Sequence, residues 1–219
     1  MPLTVLRDST KREGWISDSK PHPGRRMTER EFVEWADSTT RAEWVDGEVI
    51  MMLPVSRKHD TLQWWLRSLL QLFADERELG EVKGPEFVVR LPKQRRRRTP
   101  DVLFVAAARA KIVQANQVEG APDLIIEVVS PESVSRDWRD KFLEYERAGV
   151  REYWVIDPFS KRMEAYLLVR SGKYQRLEEV EGKLSSSLLK GFYIRSRWVF
   201  AEKPPRVTTA LREMGLKLG

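Results

Sequence analysis

The residues predict an α/β domain with a mixed sheet, in the order helix, three strands, helix, strand between about Lys58 and Asp157, extended on both sides by hairpins. Three observations carry that reading. Leu62, Trp65, Leu66, Leu69, Leu70 and Phe73 recur at helical spacing, so 58–77 is a helix with one face in the core. The run Leu124 to Val129 is apolar except for Glu127, the pattern of a strand covered on both faces. Asp137, Lys141 and Tyr145 fall at i, i+4 and i+8 on one helix face, and Gly149 supplies the C′ residue that ends such a helix.

In chain order, residues 1–26 are polar, contain Pro21, Pro23 and Gly24 and show no sustained period, so they read as a flexible arm before the domain. Thr28 with Glu31 three residues on is a capping box for a helix through Ala36. Arg41 to Met52 reads as a β-hairpin, because Asp46-Gly47 suits the φ > 0 positions of a type I′ turn. Glu43 lies on its first strand. Trp64 and Trp65 are adjacent on the long helix and cannot both face the core. Glu81 to Leu91 reads as one strand, with Pro85 marking an edge or a bulge. Arg95, Arg96, Arg97 and Arg98 then read as a solvated hairpin tip or as a set of bidentate phosphate contacts. Pro100 can open a strand but not sit inside a central one, so Asp101 stands at a strand's start. After a short helix and loop over Ala106 to Gly120 come the Glu127 strand, the Lys141 helix and the strand Glu152 to Ile156, stopped by Asp157-Pro158. Met163 to Arg170 and Tyr174 to Val180 form a hairpin about Ser171-Gly172. The domain is expected over 27–202, with a basic amphipathic tail over 203–219 beyond Pro204-Pro205.

The composition bounds the chemistry. A chain of 219 residues, 41% hydrophobic, is enough for one domain with a good-sized core. No apolar run reaches the length needed to span a bilayer, and the first residues lack the pattern of an export signal, so the expected location is cytoplasmic. With no cysteine and two histidines, thiolate and multi-histidine metal sites are excluded, and any metal rests on oxygen ligands. The net charge of +6 favours an anionic partner.

Glu127 inside an apolar strand needs a proton, a base or a metal, because an unpaired buried charge is too costly to keep. Asp101 on a second strand and Lys141 on the following helix make two arrangements available. One is a structural ion pair of Glu127 with Lys141, Arg136 or Arg139. The other is an acidic pair holding Mg²⁺ for phosphodiester hydrolysis, with the lysine aiding the attack.

Separated blocks carry a family resemblance: Arg41-Ala-Glu43-Trp-Val-Asp46-Gly47-Glu48, His59, Pro100-Asp101-Val, Ile126-Glu127-Val-Val-Ser130-Pro131, Asp137-x-x-x-Lys141, Tyr145-x-x-Ala148-Gly149-Val150, Glu152-Tyr-Trp-Val-Ile-Asp157-Pro158 and Leu189-Lys-Gly191-Phe192. Over roughly Met27 to Phe200 the chain resembles the Uma-two family, a bacterial group of restriction-endonuclease-like proteins in the PD-(D/E)XK nuclease superfamily. The resemblance implies that superfamily's αβββαβ core, with Asp101 and Glu127 as its two acids and Mg²⁺ (or Mn²⁺) as cofactor. Val129 stands where the plain superfamily pattern has its lysine, and the resemblance assigns that role to Lys141. It further implies Glu43 as an auxiliary acid facing the site, the carbonyl of Val128 as a metal ligand, His59 as a contact to phosphate or a metal-bound water, and Asp137 and Tyr145 as supporting residues. From the residues alone, Glu43 reads equally as an exposed strand acid paired with Arg41 or another base, and His59 as a solvent-facing or capping histidine. The expected activity is hydrolysis of DNA, by a chain that pairs with a second copy as many duplex cutters do. The alternative from another class is a nucleic-acid-binding or assembly protein that keeps this fold without turnover.

Overall fold

The computed structural model describes residues 26–37, 39–131 and 136–217. Apart from Arg26, the arm expected at the start lies outside them. Helix α1 (Glu29–Trp35) begins with the capping box: the Thr28 side chain accepts from the Glu31 N–H, and the Glu31 carboxylate accepts from the Thr28 N–H. Strands β1 (Ala42–Val45) and β2 (Glu48–Met51) form the expected hairpin, and Asp46 and Gly47 turn it with φ of 48° and 95°. Helix α2 (Arg57–Asp75) starts at Ser56, whose side chain accepts from the His59 N–H and so fixes the turn that carries His59.

The expected strand 81–91 is two strands. Gly84 to Phe87 form a turn, closed by the Phe87 N–H donating to the Gly84 carbonyl with Pro85 inside it. Proline favours that second turn position and cannot donate to a ladder, so the chain leaves one sheet as β3 (Gly80–Lys83) and enters another as β4 (Val88–Leu91). Gly80 is required where β3 begins: a Cβ there would lie 2.1 Å from the Val105 carbonyl oxygen.

The chain continues through β5 (Arg96–Arg98), β6 (Val102–Ala106), β7 (Gln117–Glu119), β8 (Leu124–Val128), α3 (Lys141–Ala148), β9 (Glu152–Asp157) and β10 (Arg162–Leu168). It closes with β11 (Tyr174–Arg176), β12 (Glu179–Val180), β13 (Lys183–Ser185), β14 (Tyr193–Arg195), α4 (Ser196–Val199) and α5 (Val207–Glu213). A six-stranded mixed sheet, β11-β10-β9-β8-β6-β3, is the centre of the fold. Only β8 and β9 run parallel in it, joined by the crossover that contains α3. The second sheet, of five strands, runs β2-β1-β5-β4-β7, and β12-β13-β14 form a third.

Both faces of the central sheet are covered, which is why β6 and β8 read as nearly unbroken apolar runs. Val102, Phe104, Ile126 and Val128 pack on Leu66, Leu69, Leu70 and Phe73 of α2. Leu103, Val105, Ile125 and Val129 pack on Tyr145 of α3 and on Val89 and Val118 of the second sheet. Burying one such Leu or Phe contributes roughly 1.5–3 kcal/mol. Trp65 is the buried tryptophan of its pair, donating to the Pro205 carbonyl at 2.7 Å, while Trp64 is 65% exposed.

The stretch after Pro204-Pro205 is not a tail beside the domain. Ala210, Leu211, Met214 and Leu216 join the core cluster of α2, so α5 is a layer of the domain. Its short apolar period was legible, but not the partner it packs against. Among the described residues no helix is long and apolar enough to cross a membrane.

Candidate active site

Asp101 stands one residue before β6, and Val102 pairs with Ile126, so continuing the antiparallel register sets Asp101 opposite Glu127 of β8. Each carboxylate is held by a different layer. From the α2 side, Gln63 Nε2 donates to Asp101 Oδ1 at 2.8 Å, and His59 Nε2 lies 3.3 Å from Oδ2. The Val128 N–H donates to the same Oδ2 at 2.7 Å, tying the carboxylate to β8 itself. From the α3 side, Glu127 Oε1 accepts from Lys141 Nζ at 2.9 Å and from the Tyr145 hydroxyl at 3.0 Å. Lys141 Nζ is also 3.1 Å from Asp137 Oδ1.

The helix that carries these partners opens with a π-helical turn, Arg136–Asp140, before becoming α3. Such turns are frequent at functional sites because the extra residue re-aims side chains on the following turns. The Tyr153 hydroxyl donates to the Asp137 carbonyl at 2.9 Å and fixes this turn against β9. Asp101, Glu127, Val128, Asp137, Lys141 and His59 line one cavity of about 180 Å³.

Burial raises Glu127 to about 8; the neighbouring charges of Asp137, Asp101 and Glu43 add to the rise, and Lys141 opposes it. Burial alone would discharge Lys141, but Asp137, Glu127 and Glu43 outweigh it and raise the ammonium's pKa. His59 is likewise raised against burial, by Asp101, the Val128 backbone and Glu127. The Tyr145 hydroxyl is pushed well up by burial and the charges of Glu127 and Glu43. The centre therefore sets several carboxylates around one buried ammonium, and burial favours the neutral form of Glu127.

Glu43 is fully buried, and both its oxygens are used: Oε2 accepts from Arg98 at 2.7 Å and Oε1 from the Thr99 N–H at 3.1 Å. It faces the site's rear through its charge on Lys141 rather than through a free oxygen. Burial favours the neutral acid, yet the charges of Lys141 and Arg98 with the Thr99 amide hold Glu43 at about 2. A carboxyl depressed in the folded state stabilises fully above its unfolded pKa of 4.5 and loses that contribution as pH falls toward about 2. We expect Glu43→Gln to flatten the stability–pH curve in this window by about 3 kcal/mol, read by urea unfolding at a series of pH values. A curve unchanged by the substitution would remove Glu43 from this account.

The arginine run is corrected by the structure. Only Arg95 lies at a hairpin tip, in the exposed turn between β4 and β5 with φ of 55°, whereas Arg96–Arg98 is the middle strand of the five-stranded sheet. Arg98, 1% exposed, donates to Glu43 and to both oxygens of Glu144. Arg96 also pairs with Glu144, at 2.8 Å, and Arg97 with Glu29 at 3.0 Å. These guanidiniums are spent on internal carboxylates, so the expected phosphate contacts do not fit Arg96, Arg97 and Arg98. Arg95 is exposed and pairs with Asp46 at 2.5 Å.

The structure thus brings together Asp101, Glu127, Val128, Lys141, Asp137, Tyr145 and His59, and sets Arg95 to Arg98 apart. Gln63 was missed. It stands at i+4 from His59 on the same face of α2, a spacing that could have been noticed. The loop Met51 to Val55, which lines the same cavity, was missed as well.

Among the described residues no three His, Asp or Glu side chains form a ready-made metal cluster. The donor set still fits one kind of ion. Mg²⁺ binds through one or two carboxylates and completes its shell with waters and substrate phosphate. Two carboxylates on one cavity, in a chain without thiolates, match that need.

A mixed sheet with α3 in its parallel crossover and two strand-borne acids facing one cavity defines a restriction-endonuclease-like fold. The family described as "Uma2: Putative restriction endonuclease" matches residues 30–196, and the chain belongs to it. A crystal structure described as "a putative nuclease belonging to DUF820" from Anabaena variabilis ATCC 29413 superposes with a TM-score of 0.68. It shares 18% identity, over 80% of this chain and 97% of that one, and supports the fold. The uncharacterized protein sll1609 of Synechocystis sp. is 27% identical over 142 residues, 64% of this chain and 80% of that protein.

Proposed function

We propose that the chain is a metal-dependent endonuclease that hydrolyses DNA phosphodiester bonds at the cavity between Asp101, Glu127 and Lys141. The observation that carries this reading is the convergence of two carboxylates from adjacent strands with a buried ammonium, in a chain of the restriction endonuclease family. Asp101 and Glu127, with the Val128 carbonyl, would hold Mg²⁺ or Mn²⁺, which when bound supplies an acidified water and charge neutralisation at phosphate. Lys141, kept charged by Asp137 and Glu43, orients the attacking water or steadies the charge growing on the phosphoryl oxygens. Burial raises the proton affinity of Glu127, and Lys141 beside it favours the carboxylate that a cation would need. Gln63 and His59 hold the Asp101 carboxylate in orientation. The basic chain acts in the cytoplasm as a symmetric pair, one copy for each strand of a duplex.

The experiment is incubation of purified protein with plasmid DNA in Mg²⁺, in Mn²⁺ and in chelator. Cleavage is expected with either metal and not with chelator. Asp101→Asn and Glu127→Gln, both close to isosteric, are expected to abolish cleavage while DNA binding persists. A second reading is favoured by one observation: the hydrogen bonds to Asp101 and Glu127 already engage three of their four oxygens. On that reading the chain binds nucleic acid without turnover, and the plasmid stays intact while salt-sensitive binding remains.

A further inference from the structure

Arg136 lines the same cavity as Asp101, Glu127 and Lys141. It is the first residue of the π-helical turn before α3 and is partly buried. Its Nε–H is closed to solvent and has no hydrogen-bond partner among the described residues. A buried donor left unpaired costs its desolvation free energy, so a group in this state calls for an acceptor from elsewhere.

The carboxylates of the cavity do not supply that acceptor. Glu127, for which Arg136 was one of the expected partners, takes Lys141 at 2.9 Å and Tyr145 at 3.0 Å instead. Asp101 accepts from Gln63 and from the Val128 N–H, and Asp137 lies 3.1 Å from Lys141 Nζ. Among the described residues that line the cavity, the lysine and arginine side chains are Lys141 and Arg136. Lys141 is engaged by two of the acids, whereas Arg136 keeps a donor to offer. The arginines of β5 differ in this respect, since Arg96 and Arg98 are bound to Glu144 and Arg97 to Glu29.

The backbone beside Arg136 is set in advance. The next residue, Asp137, is buried, and its carbonyl accepts from the Tyr153 hydroxyl at 2.9 Å. A guanidinium presents N–H donors in a planar fork that matches two oxygens of one phosphate. A phosphodiester brought up to Asp101 and Glu127 meets their negative field, and a cation on the same wall offsets that repulsion at short range.

We infer that Arg136 grips the phosphodiester on which the acids act, with its Nε–H as one of the donors. This inference deepens the proposed nuclease reading and rests on it. It makes Arg136 a substrate-binding residue, with a role separate from that of Lys141.

The test uses the full chain in chelator, so that nothing is cut, with a fluorescein-labelled duplex read by anisotropy over a series of salt concentrations. Arg136→Met is expected to weaken binding at least about tenfold, the worth of a hydrogen bond to a charged group. It is also expected to reduce the slope of log K against log salt by about 0.9, the contribution of one phosphate contact. Arg136→Lys returns the charge without the fork, so it should restore most of the slope but not all of the affinity. Arg139→Met removes the same charge from an exposed position of the same turn, outside the cavity lining, and should change both quantities little. Thermal midpoints report that each variant is folded. An unchanged slope in folded Arg136→Met means that its N–H meets only water and overturns the inference. An equal loss in Arg139→Met overturns it as well, because the effect is then one of overall charge. Metal-dependent cleavage by the unaltered chain with no binding loss in Arg136→Met sinks only this inference; the expected binding loss without any cleavage sinks the nuclease reading instead.

Discussion

Arg98→Met is expected to destabilise the protein by about 3–5 kcal/mol, the cost of leaving buried carboxylates without their cation. Arg98 is enclosed, and its guanidinium is shared between Glu43 of β1 and Glu144 of α3. Its charge also helps hold Glu43 at about 2, and Glu43 in turn helps keep Lys141 charged. Methionine fills much of the volume but supplies no donors, so Glu43 must take up a proton or water while Glu144 keeps only Arg96. Urea unfolding should show a lower midpoint with an unchanged slope, the sign of lost stability without a change in the surface exposed. Adding Glu43→Gln and Glu144→Gln to Arg98→Met should recover part of the loss, since the stranded charges go with their partner. A loss below about 1 kcal/mol, the range of exposed pairs, would show that this network is not closed to water.

The second large effect is on turnover. Lys141→Met is expected to lower metal-dependent cleavage about 10²–10³-fold, the usual cost of removing one donor aimed at developing charge. A lower stability is expected as well: Glu127, already raised by burial, can hold a proton, but Asp137 and Glu43 lose the charge of Lys141. The comparison of rates at saturating DNA with thermal midpoints separates the two roles. Unimpaired cleavage in a folded Lys141→Met protein would remove the lysine from the chemistry and leave it as an ion-pair partner.

The parts of the fold legible in the sequence are those whose causes lie close together in the chain. The Thr28 capping box, the Asp46-Gly47 turn, the apolar stripe of α2 and the strand around Glu127 each depend on neighbours within a turn or two. The arginine run misled for the opposite reason. Arg98 meets Glu43 and Glu144 across 55 and 46 residues, and Arg97 meets Glu29 across 68. Nothing in four consecutive arginines distinguishes a strand neutralised by distant acids from one facing solvent. Likewise, Pro85 announced an interruption of its strand, but not that the two halves belong to different sheets. Asp101, Glu127 and Lys141 stood out because polar residues in apolar or periodic surroundings demand partners. Gln63 did not, since a glutamine on a helix is unremarked until its acceptor is known.

Because one acid is set in place by α2 and the other by α3, neither layer alone assembles the centre. A nascent chain that has released α2 and β6 from the ribosome but not yet α3 holds one carboxylate aligned and the other without its clamp. The site is therefore complete only once α3 has docked on the face of the sheet opposite α2.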